Sequence, residues 1–378
     1  MPSLSPAIVT GGCGFIGFHL LSGILAEDPN CEIHVIDIFT NRNRVPGVTY
    51  HTVDISDAAA VDAIFQAAKP TSIFHVACPD SMVVNDALFT RVNINGARNL
   101  LASARKCGTV KAFINTSTSS VIHDNVSDLV NADETWPVLQ YPAQKRVYTL
   151  TKAVAETEIL AANRSQPLHG GGGMLTVSLR PGSCFGPRDT VMMANIVASI
   201  RAGQGKYQIG DGRNIYSFTY ISNCVDAHLL AAHALVNAYG KPRPSQKDKR
   251  VDGEAFHITN DEDWLFWDFQ RGIAKAIGMP VKQEEIKVVP VWVALLMAYI
   301  AEWITWVRTL GKEQPKITAE AVYLVSHHRT LNGDKAKRVL GYQPKVSMQE
   351  GLDIAGRWFV DEEMKAKGLE EERKGRVV

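Results

Sequence analysis

Across its 378 residues the chain has no Cys-x-x-Cys pair and no histidine spaced to share a metal with cysteine. Its six cysteines, Cys13, Cys31, Cys78, Cys107, Cys184 and Cys224, are scattered. They read as reduced structural thiols of a cytosol-facing protein, with no metal site among them. Charge of one sign is also missing. Forty basic residues against 39 acidic leave a net charge of +1, so no broad field invites a nucleic acid. The opening MPSLSPAIVTGG lacks a basic segment followed by a long apolar run, and is not read as a secretory signal. No repeat of solenoid period occurs.

What is present is an ordinary globular balance, 46% hydrophobic and 21% charged, in a chain longer than one core usually serves. Two lobes are expected. The first 180 residues alternate β-branched runs at 7–10, 31–37, 50–54, 72–77, 111–117 and 175–180 with helical stretches near 16–26, 57–68, 86–107 and 146–163. This alternation predicts an α/β fold of Rossmann type, a doubly wound parallel sheet, followed by a smaller, mostly helical C-terminal lobe. The expected boundaries are 1–180 for the first domain, with returning segments at about 221–260. The second lobe takes 181–220 and 261–362, and 363–378 form a charged tail. HGGGG (169–173) reads as a flexible connector and YGKPRPSQKDKRVDG (239–253) as an exposed loop.

AIVTGGCGFIG sets Gly11, Gly14 and Gly17 where an apolar strand turns into a helix. Glycine there lets a backbone approach a pyrophosphate, and the helix N-terminus offers N–H groups to it. Asp37 ends the second strand, where a carboxylate can bond both hydroxyls of an adenosine ribose; this favours NAD. Arg42 and Arg44 are the opposing signal for NADP. Asp54, expected to close the third strand, can approach an adenine amino group or serve only as a helix N-terminal acid.

YTLTK (148–152) places Tyr148 and Lys152 one helical turn apart, so that an ammonium can favour the phenolate. A second Tyr-x-x-x-Lys, YPAQK (141–145), is set aside because Pro142 drives Tyr141 out of the helical region. Upstream, INTSTSSV (114–121) runs a strand into a hydroxyl cluster at the carboxyl edge of the sheet. Asn93 organises the catalytic helix or a relay water, or is simply a packed polar group; His75 reads as structural.

In this order, the glycine pattern, Asp37, the hydroxyl cluster, YTLTK and LRPGSCFGPRD (179–189) resemble an extended short-chain dehydrogenase/reductase. HVACPD (75–80), VNINGARNLL (92–101), DLVNADE (128–134), GDGRNIYSFTYISNCVDAHLLAA (210–232), FHITNDEDWLFWDFQRGI (256–273) and KAKRVLGYQPKVSMQEGL (335–352) narrow the resemblance. They are similar to the 3β-hydroxysteroid dehydrogenase branch, and within it the sterol-4α-carboxylate 3-dehydrogenases. Cys78 and Asp80 depart from that branch, and AQKRV before Tyr148 is unusually basic.

The resemblance implies Tyr148 as base, Lys152 as its partner, and Thr118 as the hydroxyl that holds the substrate oxygen, with Ser117 and Ser119 as alternatives. It implies a nicotinamide dinucleotide along Gly11, Gly14, Phe15, Ile16, Gly17, Asp37, Asp54, Ile55, Lys152 and Pro181. The implied reaction is oxidation of a 3β-hydroxyl on a 4-carboxysterol or related triterpenoid, with loss of CO2. Three other readings compete: a 3β-hydroxysteroid dehydrogenase/isomerase-like enzyme, another extended reductase such as a nucleotide-sugar epimerase, and a non-catalytic dinucleotide-binding scaffold. A sugar substrate predicts a polar cavity, whereas this C-terminal region is aromatic and aliphatic.

VVPVWVALLMAYIAEWITWV (288–307) is as long as a membrane span, but Glu302 interrupts it. The expectation is a buried or surface-lying helix, resting in a bilayer interface with Trp292, Tyr299, Trp303 and Trp306, or else a core helix lining the substrate pocket. A homodimer held peripherally at the cytosolic face of the endoplasmic reticulum is expected.

Overall fold

The computed structural model describes residues 1–83, 85–166, 172–310, 315 and 317–375, with side chains as far as Lys365. The connector at 169–171 lies outside the described residues. In chain order the first elements are β1 (Ala7–Thr10), α1 (Phe15–Glu27), β2 (Ile33–Asp37), β3 (Thr49–Thr52), α2 (Ala58–Ala68) and β4 (Ser72–His75). There follow α3 (Asp86–Phe89), a π-helical turn (Thr90–Gly96), α4 (Ala97–Cys107), β5 (Ala112–Thr116), β6 (Leu129–Ala132), α5 (Val147–Ala161), β7 (Leu175–Pro181) and β8 (Ser183–Phe185). Next come α6 (Met192–Arg201), β9 (Tyr207–Ile209), β10 (Ile215–Tyr220), α7 (Ile221–Ala238), β11 (Glu254–Ile258), β12 (Asp263–Leu265) and α8 (Phe266–Ala276). The chain closes with β13 (Lys287–Val289), α9 (Val291–Thr309), α10 (Ala319–Ser326), β14 (Arg329–Leu331), α11 (Asp334–Leu340) and α12 (Met348–Gly375).

Seven parallel strands pair in the order β11-β7-β5-β4-β1-β2-β3. The apolar runs are buried on both faces, as a parallel sheet covered by helices requires. One face packs against α1 and α7 through Leu20, Leu21, Ala231 and Leu235. The other packs against α2, α4 and α5 through Phe65, Leu100 and Ile159. Strand order reverses between β1 and β4, and the crevice beyond the carboxyl ends of these strands is where open α/β sheets take ligands.

The C-terminal lobe is helical around a small second sheet, β12-β10-β14-β6 with β8 beside β10. Its core stacks Phe218 on Phe269, with ring centroids 3.8 Å apart, and sets Phe185 edge-on to both. β6 leaves the first lobe to pair with β14, so Leu129 lies against Arg329 from the far end of the chain.

The segment at 291–309 is not buried. Among its residues Ala294 and Ala298 are the buried ones, which removes the core-helix reading. Ala294 and Ala298, one turn apart, form a narrow face against Ala319 and Val322 of α10. Trp292, Leu296, Met297, Tyr299, Ile300, Trp303, Trp306 and Val307 are exposed. By length and composition α9 could cross a membrane. Glu302 is tied down, however: its Oε1 accepts the Ala319 N–H at 2.8 Å, at the N-terminus of α10.

Candidate active site

The glycine turn fits a dinucleotide by what it leaves out. Gly11 has φ +69°, and a Cβ there would lie 2.8 Å from the Ala77 backbone. A Cβ on Gly17 would stand 2.1 Å from the Gly11 carbonyl oxygen, so α1 packs on the turn only because that position is bare. Gly14 precedes α1, which has no side-chain cap on its leading N–H groups, and Phe15 and Ile16 open the helix. Asp37 ends β2. One carboxylate oxygen takes the Cys13 N–H and the other the Phe39 N–H, both at 3.0 Å, which pins the side chain beside the turn. Arg42 and Arg44 stack on Phe39 and Tyr50.

Asp54 lies two residues past β3 and does not close it, contrary to expectation. Its Oδ1 accepts the Ser56 N–H at 2.8 Å and turns the chain toward α2, whose cap is Asp57. Its other oxygen faces Arg91 at 3.6 Å. Ile55 is buried against Gly96 of the π-helical turn. Pro181 is buried at the end of β7, opposite Ile258.

Tyr148 and Lys152 share the inward face of α5. The Tyr141 copy does lie outside any helix, and Tyr141 is exposed. Phe89 meets the Tyr148 ring edge-on at 5.9 Å. The Thr118 hydroxyl lies beside the phenol and eases its ionisation. Thr118 Oγ1 also accepts the Ser120 N–H at 3.2 Å, which leaves its own proton to donate. Ser117 is buried, its hydroxyl without a partner among the described residues, and Ser119 is buried in the short helix that follows. Of the three candidates, the structure brings Thr118 to the tyrosine.

Lys152 is buried, and its ammonium donates to the Thr116 carbonyl at 2.6 Å. The Thr116 hydroxyl meets Nε2 of His228, on α7, at 2.8 Å, so Lys152 rests on a fixed floor. Burial raises the Tyr148 phenol above its usual range, with the Cys78 thiol adding to the rise. Arg146 opposes this: its guanidinium stands 5.5 Å from the ring centroid. His75 is structural. It bonds Thr10 Oγ1 at 2.9 Å across β1 and β4, and burial, then Lys152, push it down to about 3.

Three features escaped the sequence reading. The π-helical turn is one, and such turns gather at functional sites; it carries Asn93, whose Nδ2 donates to Thr151 on α5 at 3.0 Å while its Oδ1 has no partner among the described residues. A buried ion pair is the second. Glu156 continues the spacing of 148 and 152 by one more turn and takes Arg180 Nε at 3.0 Å and Ser178 Oγ at 2.9 Å, tying α5 to β7. That third step of the four-residue spacing was the available signal. The third is the return of Arg146 over the tyrosine ring, for which the basic AQKRV was the only hint.

The arrangement can take a proton from an alcohol held between Tyr148 and Thr118, next to a turn shaped for a dinucleotide. Two UDP-glucose 4-epimerases, from Thermotoga maritima and, with NAD, from Thermus thermophilus, superpose with TM-scores of 0.68 and 23% identity. Each comparison covers 93% of this chain and 98% of the other, and shows the fold. Residues 8–288 match the 3-beta hydroxysteroid dehydrogenase/isomerase family. The decarboxylating sterol-4-alpha-carboxylate 3-dehydrogenase of Saccharomyces cerevisiae is 34% identical, covering 95% of this chain and 99% of the relative. The Homo sapiens enzyme of that name is 32% identical, covering 91% of this chain and 86% of the relative. A likeness that runs the length of both chains, on a fold that presents tyrosine, lysine and hydroxyl at the switch-point crevice, places this chain in the 3-beta hydroxysteroid dehydrogenase/isomerase family.

Proposed function

We propose that the protein oxidises the 3β-hydroxyl of a 4-carboxysterol, or a related triterpenoid, to the 3-ketone and releases the C4 carboxylate as CO2. The observation that carries this is the Tyr148 phenol beside the Thr118 hydroxyl in a chain similar over nearly its whole length to enzymes named for that reaction. Gly11, Gly14, Gly17 and the N-terminus of α1 would hold a nicotinamide dinucleotide, with Asp37 toward the adenosine ribose. Bound there, it supplies the hydride acceptor. Thr118 donates to the substrate oxygen, Tyr148 takes the hydroxyl proton, and Lys152 steadies the tyrosine's side of the site from its seat on Thr116. The product is a β-keto acid. Its C4–carboxylate bond breaks with the electron pair moving toward the C3 oxygen, and C4 then takes a proton.

The test is conversion of a 4α-carboxy-3β-hydroxysterol with NAD. The reading stands if NADH forms and the product is the ketone 44 mass units lighter than the keto acid; NADH without CO2 loss would confine the enzyme to dehydrogenation. We favour NAD over NADP on the carboxylate of Asp37, which repels a 2′-phosphate. Asp37→Ala should raise KM for NAD by about tenfold to a hundredfold, the worth of a hydrogen bond to a charged group, and narrow the preference over NADP. An unchanged preference would shift the assignment to Arg42 and Arg44.

We also propose that α9 rests on a membrane surface, at the cytosolic face of the endoplasmic reticulum. Its exposed tryptophans and aliphatics support this, as does its place beside the site: α10, on which it packs, carries Glu320, ion-paired to Arg146 two residues before Tyr148. Trp303→Glu should weaken partition onto phosphatidylcholine vesicles by about tenfold, the worth of one large apolar side chain, without altering turnover of detergent-dispersed substrate. Equal partition of the variant and the parent would remove the proposal.

A further inference from the structure

Arg146 exchanges no proton or hydride in the chemistry above, yet its cationic head lies over the ring of the tyrosine that performs it. The residue precedes α5 in extended conformation, φ −74° and ψ 119°, so its side chain folds back across Tyr148 and not along the helix. The guanidinium carbon is 5.5 Å from the ring centroid. One arm, Nη2, donates to the Ser81 carbonyl at 2.8 Å, which fixes the plane of the group. The other, Nη1, faces Glu320 Oε1 at 3.2 Å.

We propose that Arg146 recognises the C4 carboxylate of the substrate, and that Glu320 holds the same arm when no substrate is bound. This rests on the carboxysterol reading of the site. When the C3 oxygen sits on the tyrosine phenol, the carboxyl carbon belongs to the neighbouring ring atom, on the rim where Arg146 stands. Taking an anion into a partly desolvated site requires a partner of opposite charge, and a guanidinium meets a carboxylate with two parallel N–H donors. Lys152, the other cation at the reacting centre, is committed to Thr116 at 2.6 Å. The existing pair is easily exchanged. Glu320 is 41% exposed, and its Oε1 also accepts from Asn125 Nδ2 at 3.2 Å, so its carboxylate keeps solvent and a second donor when Arg146 departs.

Arg146 is therefore a specificity residue. It discriminates between a hydroxy acid and a neutral 3β-hydroxysterol. It does not assist CO2 loss, because in that step negative charge leaves the carboxylate for the C3 oxygen.

The test is equilibrium binding to the enzyme saturated with NADH, which cannot accept a hydride, followed by tryptophan fluorescence, of a 4α-carboxy-3β-hydroxysterol and of its methyl ester. The parent should bind the acid about tenfold to a hundredfold more tightly than the ester, as expected for hydrogen bonds to a charged group. Arg146→Met should erase that difference while leaving the ester's affinity unchanged, Arg146→Lys should restore part of it, and Glu320→Gln should tighten the acid alone. The proposal is overturned if the parent does not prefer the acid, or if Arg146→Met weakens acid and ester equally, as a merely structural residue would. Because binding is read without turnover, a parent that prefers the acid but never oxidises it would sink the carboxysterol dehydrogenase reading and leave the role of Arg146 standing.

Discussion

Tyr148→Phe should lower kcat by about a hundredfold to ten-thousandfold, the usual contribution of a positioned general base, while leaving affinity for NAD and sterol nearly unchanged. The phenyl ring keeps its edge contact with Phe89, so the site keeps its shape. Only the proton acceptor is lost. The phenol is held above its ordinary range chiefly by burial. Oxidation should therefore quicken as pH rises through neutral and alkaline values, since the base must be deprotonated to act, and that limb should vanish in Tyr148→Phe. Stopped-flow NADH absorbance against pH measures both. A rate in the variant within a few-fold of the parent would assign the base elsewhere.

Glu156→Ala should cost about 3–5 kcal/mol of stability, because it leaves the Arg180 guanidinium buried without its counter-charge. Both side chains are almost wholly buried, at 1% and 5% exposure. Burial drives the Glu156 carboxyl upward, but Arg180, with the hydrogen bond from Ser178, outweighs it and holds the group below its usual range. A depressed carboxyl contributes stability that is present above its unfolded pKa and lost as pH falls through the folded one. The gap between parent and variant should therefore be full at neutral pH and begin to narrow below about pH 4, where an unfolded glutamate takes its proton, narrowing further until the folded carboxyl is protonated too. Urea midpoints at pH 7 and pH 3.5 give the comparison. Replacing both partners, Glu156→Met with Arg180→Met, should recover most of the loss, since an apolar pair leaves no charge stranded. A single variant as stable as the parent would show that this pair does not anchor α5 to β7.

How much of this was readable in advance depends on the distance over which each feature is determined. β1, β2, β4, β5 and β7 announce themselves as β-branched runs buried on both faces, and α5 as an Ala- and Glu-rich stretch without glycine or proline. Their ends were less legible, because a side chain such as Asp54 can close a turn early. The second sheet was invisible: β8, β12 and β14 are three residues long, and β6 finds its partner some two hundred residues away. Periodicity has nothing to register in so short a run.

The same division holds in the site. Tyr148 and Lys152 are neighbours by helical geometry, so spacing found them. The floor beneath Lys152, Thr116 with His228, joins residues 112 apart in the chain, and Arg146 reaches Glu320 across a still longer gap. No local pattern encodes such meetings. The exposure of α9 was open for a different reason, since an apolar run is equally consistent with burial in a core and with contact to lipid; only the packing of Ala294 and Ala298 decides that one narrow face is covered.

The central claim is that the Tyr148 site oxidises C3 and that decarboxylation follows from the ketone. A 4α-carboxy-3β-hydroxysterol deuterated at C3 tests it directly, with NAD and mass analysis of both products. The account predicts deuterium in the reduced nicotinamide, an isotope effect on the rate of NADH formation, and a ketone without its carboxyl group. Loss of CO2 from a sterol that keeps deuterium at C3 would contradict it, because the carboxylate would then leave without a C3 ketone to receive its electrons.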